Sequence, residues 1–286
     1  MSMRVKKAKQ IFVLVIPRFE DIFHSFYASE ILKGVGLASS RLNVDILLHI
    51  TDRFDHRGWL DSTLLNRQYI SGIIFADIDN DLQVVKKAIR SGIPCIVLNN
   101  MIAEPINYIA VDNKQAAFDV TEHFVNLGHT QIATIAGDQT TQSGLMRLDG
   151  YKEALESHNI KIQKRYIAFG DFLRTPARKS AEKLLNLADR PTAIFAASDV
   201  MALELIDVAR SFNIRIPEDL SIIGFDNNPI SFNNSIKLTT VNQPLVEMGR
   251  LGVENLYQIT HGQARLPVKI LLATEFIERN STEQLN

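Results

Sequence analysis

Seven short, almost continuously apolar runs recur along the chain and constrain its fold more than any other feature. They fall at residues 11–16, 44–50, 72–76, 93–98, 132–136, 193–197 and 220–224. Hydrophobicity that is continuous rather than alternating marks strands covered on both faces, as in parallel sheets. Between the runs the period changes to that of a helix. Ala116, Val120, Phe124 and Leu127 make one apolar stripe, with Asp112 or Asn113 placed to cap it and Gly128 to end it. Thr175-Pro176 predicts an N-cap followed by proline at the first helical position, with Ala177, Ala181, Leu184, Leu185 and Ala188 on the buried face. Asp199 is placed to cap a helix running to about residue 212, with Met201, Leu205 and Val208 along one side. Strand and helix alternate throughout, so the class is α/β.

There are more strands than one doubly wound unit needs, so two units are expected. A helix over about 245–261 and a strand pair around 268–277 follow the second series and return to the fold. The expected partition is 11–111 plus 242–271 for the first unit and 112–241 plus 272–280 for the second. Residues 1–10 are expected to be a linker remnant and 281–286 a tail.

In open parallel sheets ligands bind outside the carboxyl ends of the strands. Ser198 and Asp199 end one apolar run and Asp226 ends the next. Arg147 falls in the first turns of the helix after 132–136, and Gly170-Asp-Phe172 follows a further strand at 166–169. Hydroxyl, carboxylate, arginine and aromatic delivered to one edge make a polar, ring-stacking pocket.

Other chemistries find little support. Asp77-Ile-Asp-Asn-Asp81 starts like a calcium loop but has Leu82 and Ala88 where glycine and glutamate are required. Gly34-Val-Gly36-Leu-Ala-Ser39 lacks the third glycine of a dinucleotide fingerprint and lies in a helical segment. His123 and His129 are not at a common ligand spacing and are expected at the surface or as caps. Neither an enzyme, a cofactor nor a metal site is expected. A net charge of −1 gives no general attraction to nucleic acid. The single cysteine, Cys95, cannot form an internal disulfide, which fits a reducing compartment. Only six apolar residues precede Pro17, too few for a signal peptide, and no run approaches a membrane span, so a cytoplasmic protein without membrane contact is expected.

An ordered set of motifs then gives a resemblance. It comprises Val111-Asp-Asn-Lys-Gln-Ala-Ala117, His123-Phe-Val-Asn-Leu-Gly-His129, Arg147-Leu-Asp-Gly-Tyr151 and Phe195-Ala-Ala-Ser-Asp-Val-Met-Ala202. Ile216-Pro-Glu-Asp-Leu-Ser-Ile-Ile-Gly-Phe-Asp226, Leu238-Thr-Thr-Val-Asn-Gln-Pro244 and Glu247-Met-Gly-Arg-Leu-Gly252 complete it. Over about residues 10–280 the chain resembles the effector-binding core of the lactose/galactose-repressor (LacI/GalR) family of bacterial transcription regulators.

The resemblance implies a type I periplasmic-binding-protein fold, with two Rossmann-like subdomains, three crossovers and a central ligand cleft. It implies a small-molecule effector such as a sugar, a homodimer, and operator DNA bound through a helix-turn-helix headpiece that this chain is expected to lack. A solute-binding protein of a transport system shares the fold and is the alternative. Carried over by position, the resemblance makes Arg147, Phe172, Ser198 and Asp226 ligand contacts of the second subdomain. Asn99, Asp77, Phe23 and His24 are those of the first. Arg147 would donate to hydroxyls or a carboxylate, Asp226 would accept from hydroxyls, and Phe172 would stack on a ring.

Overall fold

The computed structural model describes residues 9–17, 25–51, 69–76, 78, 82–229 and 236–285. In chain order the first elements are β1 (Ile11–Pro17), α1 (Phe26–Leu42), β2 (Asp45–Thr51), β3 (Gly72–Ala76), α2 (Gln83–Arg90), β4 (Cys95–Leu98) and β5 (Tyr108–Val111). There follow α3 (Asn113–Asn126), β6 (Ile132–Ala136), α4 (Gln142–Ser157), β7 (Ile167–Phe169), α5 (Arg174–Leu185) and β8 (Ala193–Ala196). The last are α6 (Asp199–Ser211), β9 (Ser221–Ile223), β10 (Thr240–Asn242), α7 (Leu245–Thr260), β11 (Lys269–Leu272) and β12 (Glu275–Ile277). The chain divides into two compact units and passes between them after Ala110, after Pro244 and after Leu272.

The first unit holds one sheet in the order β11-β5-β4-β3-β1-β2, with β1 to β5 running parallel. Its central strands are the continuous apolar runs of the sequence, and β3 and β4 are buried along their whole length. β2 departs from the expectation of two covered faces. It is the end strand, and Leu47, Leu48 and Ile50 on it are exposed. Gly34 sits where α1 meets α7: a Cβ there would lie 1.9 Å from the Val246 carbonyl oxygen. Gly34, the first glycine of the sequence that imitates a nucleotide fingerprint, is thus a helix-packing feature, while Gly36 faces open space.

The second unit holds the parallel order β7-β6-β8-β9. Through the bridge Ile223–Thr239 it continues towards β10, which pairs antiparallel with β12. The strand pair expected around 268–277 is therefore two strands in different sheets, because the chain changes unit after Leu272. α3 is capped by Asp112, whose carboxylate accepts from the Lys114 and Gln115 amides. Gly128, at φ +88°, follows the last turn.

Two caps differ from expectation. α5 begins at Arg174 after Leu173, with no side-chain cap. Pro176 is then its third residue, still among the amides that have no intrahelical acceptor. α6 is capped by Ser198, whose hydroxyl accepts from the Met201 amide at 3.3 Å, and Asp199 becomes its first helical residue.

The expected tail is part of the fold as far as Leu285. Ser281 is fully buried, donates to the Ile222 carbonyl at 2.6 Å and accepts from the Thr239 amide at 2.8 Å. His129, expected at the surface or as a cap, is buried against this segment. Its Nε2 lies 3.2 Å from the Glu283 carbonyl and its Nδ1 2.9 Å from the Thr192 hydroxyl. Nε2 also lies 3.1 Å from the Ser221 hydroxyl. Burial holds the ring's pKa below the usual histidine value.

Candidate functional site: the carboxyl edge of the second sheet

Arg147 organises this edge. The turn before α4 is closed by Thr141, whose hydroxyl accepts from the Gly144 amide at 3.1 Å. Gly144 is required there, since a Cβ would fall 1.9 Å from the Asp138 carbonyl oxygen. One and a half turns on, the Arg147 side chain is buried at 4% exposure. Its Nε donates to Asn113 Oδ1 at 2.8 Å and its Nη1 to the Ala197 carbonyl at 2.6 Å. The guanidinium carbon lies 3.6 Å from the centre of the Phe225 ring and 5.7 Å from that of Phe172, a cation–π arrangement with the nearer ring. The surface ion pairs that compete for such an arginine in the sequence, Asp149 and Glu153, are instead with Lys152 and Lys114.

Asp226 stands at the end of β9 with a fifth of its side chain exposed, and its Oδ1 is 3.8 Å from Arg147 Nη1. Gln243 Nε2 donates to the same oxygen at 2.7 Å. Desolvation pushes the Asp226 carboxyl up to about 6, against the opposing pull of Arg147 and the Gln243 hydrogen bond. The remaining exposure tempers that shift. The ion pair is therefore incomplete, and Asp226 keeps acceptor capacity.

Phe172 lies in a turn after β7 where Asp171 and Phe172 both take left-handed backbone angles, φ 53° and 60°. Such angles are unusual for an aromatic residue. The ring occupies the space above Gly137, where a Cβ would meet it at 2.1 Å. Gly137 thus makes room for a ring at the end of β6.

The structure brings Arg147, Phe172 and Asp226 together. Ser198 is buried directly after the carbonyl that receives Arg147, with its hydroxyl capping α6. In the first unit Asn99 follows β4 at φ 65°, is buried, and has an Oδ1 with no hydrogen-bond partner. Asp77, Phe23 and His24 lie outside the described residues.

Four further residues shape this edge. Asn113, weighed only as a cap, orients Arg147, and Phe225 stacks on it. Gln243 touches Asp226 and has a buried Oε1 without a partner. Asp199, expected to be a cap, points into the loop around Asp226. Gln243 lies within the motif Leu238–Pro244, which was the available signal for it. No group of three or more potential metal ligands occurs among the described residues.

Comparison with known proteins gives a consistent result. A family profile described as "Periplasmic binding protein-like domain" matches residues 121–282. The chain is 31% identical over 284 residues to the HTH-type transcriptional regulator DegA of Bacillus subtilis, covering 98% of this chain and 83% of that protein. It is 32% identical over 289 residues to the HTH-type transcriptional repressor CytR of Escherichia coli, covering 100% and 83%. Among solved structures it is similar to the transcriptional regulator CelR in complex with cellobiose. That match has a TM-score of 0.86 and 28% identity, over 96% of this chain and 85% of the other.

Proposed function

This chain belongs to the LacI/GalR family of bacterial transcriptional regulators, and on that premise we propose that it senses a small metabolite, a sugar or sugar derivative, at the carboxyl edge of the second unit's sheet. The observation that carries this reading is the arrangement around Arg147. The guanidinium donates to Asn113 and to the Ala197 carbonyl and lies over Phe225, while Asp226, 3.8 Å away, keeps acceptor capacity. A carboxylate able to accept from hydroxyls, next to a stacked ring, suits a polyhydroxylated ligand. Asn99, with its unpaired buried oxygen, is proposed as a further contact. Ser198 is proposed to act through its backbone and its cap.

The role is regulatory rather than catalytic. Effector binding shifts a conformational equilibrium that sets operator affinity; reversing such an equilibrium takes roughly 5.5 kcal/mol of differential affinity between states. DNA contact is proposed for a helix-turn-helix segment, as in the HTH-type relatives, and not for this core. A homodimer is proposed, supported by the exposed Leu47, Leu48 and Ile50 on the end strand β2, an edge open to a second copy. The setting is the cytoplasm, where the operator is. The described helices include none long and apolar enough to cross a membrane.

The test is a thermal-shift screen against cellobiose, other di- and monosaccharides and their phosphates, followed by titration calorimetry. A ligand specific to the native state raises the melting temperature. Asp226→Asn is expected to weaken the ligand found by about tenfold, or ~1.4 kcal/mol. Undiminished binding by that variant would exclude this edge as the sensor.

A further inference from the structure

Asp199 is fully buried at the first position of α6, a helix that Ser198 already caps. Its carboxylate turns away from the helix. Oδ1 accepts from the Thr240 hydroxyl at 2.6 Å and Oδ2 accepts from the Asn228 amide at 2.7 Å. The Asp199 amide in turn donates to the Phe225 carbonyl at 2.7 Å. These bonds tie the start of α6 to both flanks of Asp226 and to β10. Gly224 permits the approach, for a Cβ there would lie 2.2 Å from Asp199 Oδ1.

The loop needs to be held. Asp226 and Asn227 have φ of 114° and 57°, two successive non-glycine residues in a region that persists only where the surroundings impose it. Asp226 N donates to the Val241 carbonyl at 2.8 Å, and Arg279 Nη2 donates to Asn227 Oδ1 at 2.6 Å. Those contacts fix residues 226 and 227. The amide of 228 is held by Asp199.

We propose that Asp199 is a positioning residue for effector recognition, clamping the loop that presents the Asp226 carboxylate beside Arg147 and Gln243. The proposal rests on the reading of Asp226 as an effector contact, and goes beyond it by assigning a residue that no ligand need touch. The charged groups facing Asp199 are Asp226 from the loop and Arg279 from the segment after β12. Burial and Asp226 push its pKa up to about 8, over the opposing effects of Thr240, Asn228 and Arg279. An asparagine amide keeps an oxygen acceptor towards Asn228 N, the bond that holds the loop, and removes the titrating proton.

The experiment is backbone-amide NMR of the whole chain without ligand, so its failure is separable from failure of the effector reading. Asp199→Ala is expected to speed hydrogen exchange at the Asn228 and Asp226 amides by about tenfold relative to amides in β8. Asp199→Asn is expected to leave those rates near wild type. In a pH titration of the native chain, the Asn228 amide shift should follow Asp199, vanish as a titrating signal in Asp199→Asn, and move to a lower midpoint in Asp226→Asn. A merely space-filling residue would produce none of these. Unchanged Asn228 exchange in Asp199→Ala, or an Asn228 titration that survives in Asp199→Asn, would overturn the proposal. Should the alanine variant not fold, the asparagine titration decides it.

Discussion

Replacing Arg147 by alanine separates two accounts of this side chain, a ligand donor with spare capacity or a structural strut of the site. Its contacts include hydrogen bonds from the charged donor at 2.6 and 2.8 Å to acceptors that are themselves buried. Such bonds contribute about 1.5–3 kcal/mol each, and an acceptor left unsatisfied in the interior adds to the loss. The expected destabilisation is therefore about 3–5 kcal/mol, a large part of the ~5–15 kcal/mol typical of a folded protein. Arg147→Lys should recover less than half of it, since an ammonium cannot reach Asn113 and Ala197 in one planar fork.

The charge pair with Asp226 adds less than its geometry suggests. At 3.8 Å the Coulomb attraction is about 4 kcal/mol for an effective dielectric constant of ~20. Desolvation nevertheless prevails, because the carboxyl pKa is raised rather than lowered. In urea-unfolding double-mutant cycles, Arg147→Ala with Asn113→Ala should show the larger coupling, above about 1.5 kcal/mol, and Arg147→Ala with Asp226→Asn about 1 kcal/mol or less. The opposite ranking, or an Arg147→Ala variant within ~1 kcal/mol of wild type, would refute the reasoning.

Further outcomes follow from other contacts. The contributions of Asp226 and Asp199 to stability should fall as pH rises from 3.8 through about 6 and on to about 8, because both bind protons more tightly folded than unfolded, whereas the lowered pKa of the buried His129 ring acts in the opposite sense; urea midpoints of the wild type relative to an Asp199→Asn/Asp226→Asn double variant across that range check it, and a difference that rises over the same interval would contradict the sign. Asp199→Asn should flatten the upper part of that profile and leave the lower part in place. Gly34→Ala forces a methyl into the α1–α7 contact at the Val246 carbonyl and should destabilise the first unit by about 1–3 kcal/mol, read as earlier unfolding of its amides in hydrogen exchange. His129→Ala removes the partner of Glu283 and Thr192; the 281–285 segment should then become the first site of limited proteolysis, whereas an unchanged cleavage pattern would mean that Ser281, Ser221 and the Leu127 carbonyl hold it without the ring.

How far the sequence reached depends on whether a residue's partners are local. The parallel strands were legible because burial on both faces leaves a continuous apolar run, and β3 coincides with its run from Gly72 to Ala76. The apolar stripe of α3 was legible for the same reason, since Ala116, Val120 and Phe124 meet the core at helical spacing. β10 was not, being a strand of three residues that pairs with β12 only after the chain has passed through the first unit and returned.

The polar site divides along the same line. Arg147, Phe172 and Asp226 were visible as chemistry at strand ends, but what each does depends on residues 34, 35 and 17 positions away: Asn113, Gly137 and Gln243. A capping rule applied to Asp199 was reasonable locally and failed because Ser198, one residue earlier, has the extended backbone a cap requires, φ −156° and ψ 157°. Once Ser198 takes the cap, the carboxylate of Asp199 is buried with no helical amide to satisfy it, and only a distant acceptor-seeking group can make its burial tolerable. Thr240 and the Asn228 amide are those groups. A cap displaced by one residue thus converts a local helix signal into a tertiary bond, one that joins the start of α6 to the loop carrying Asp226.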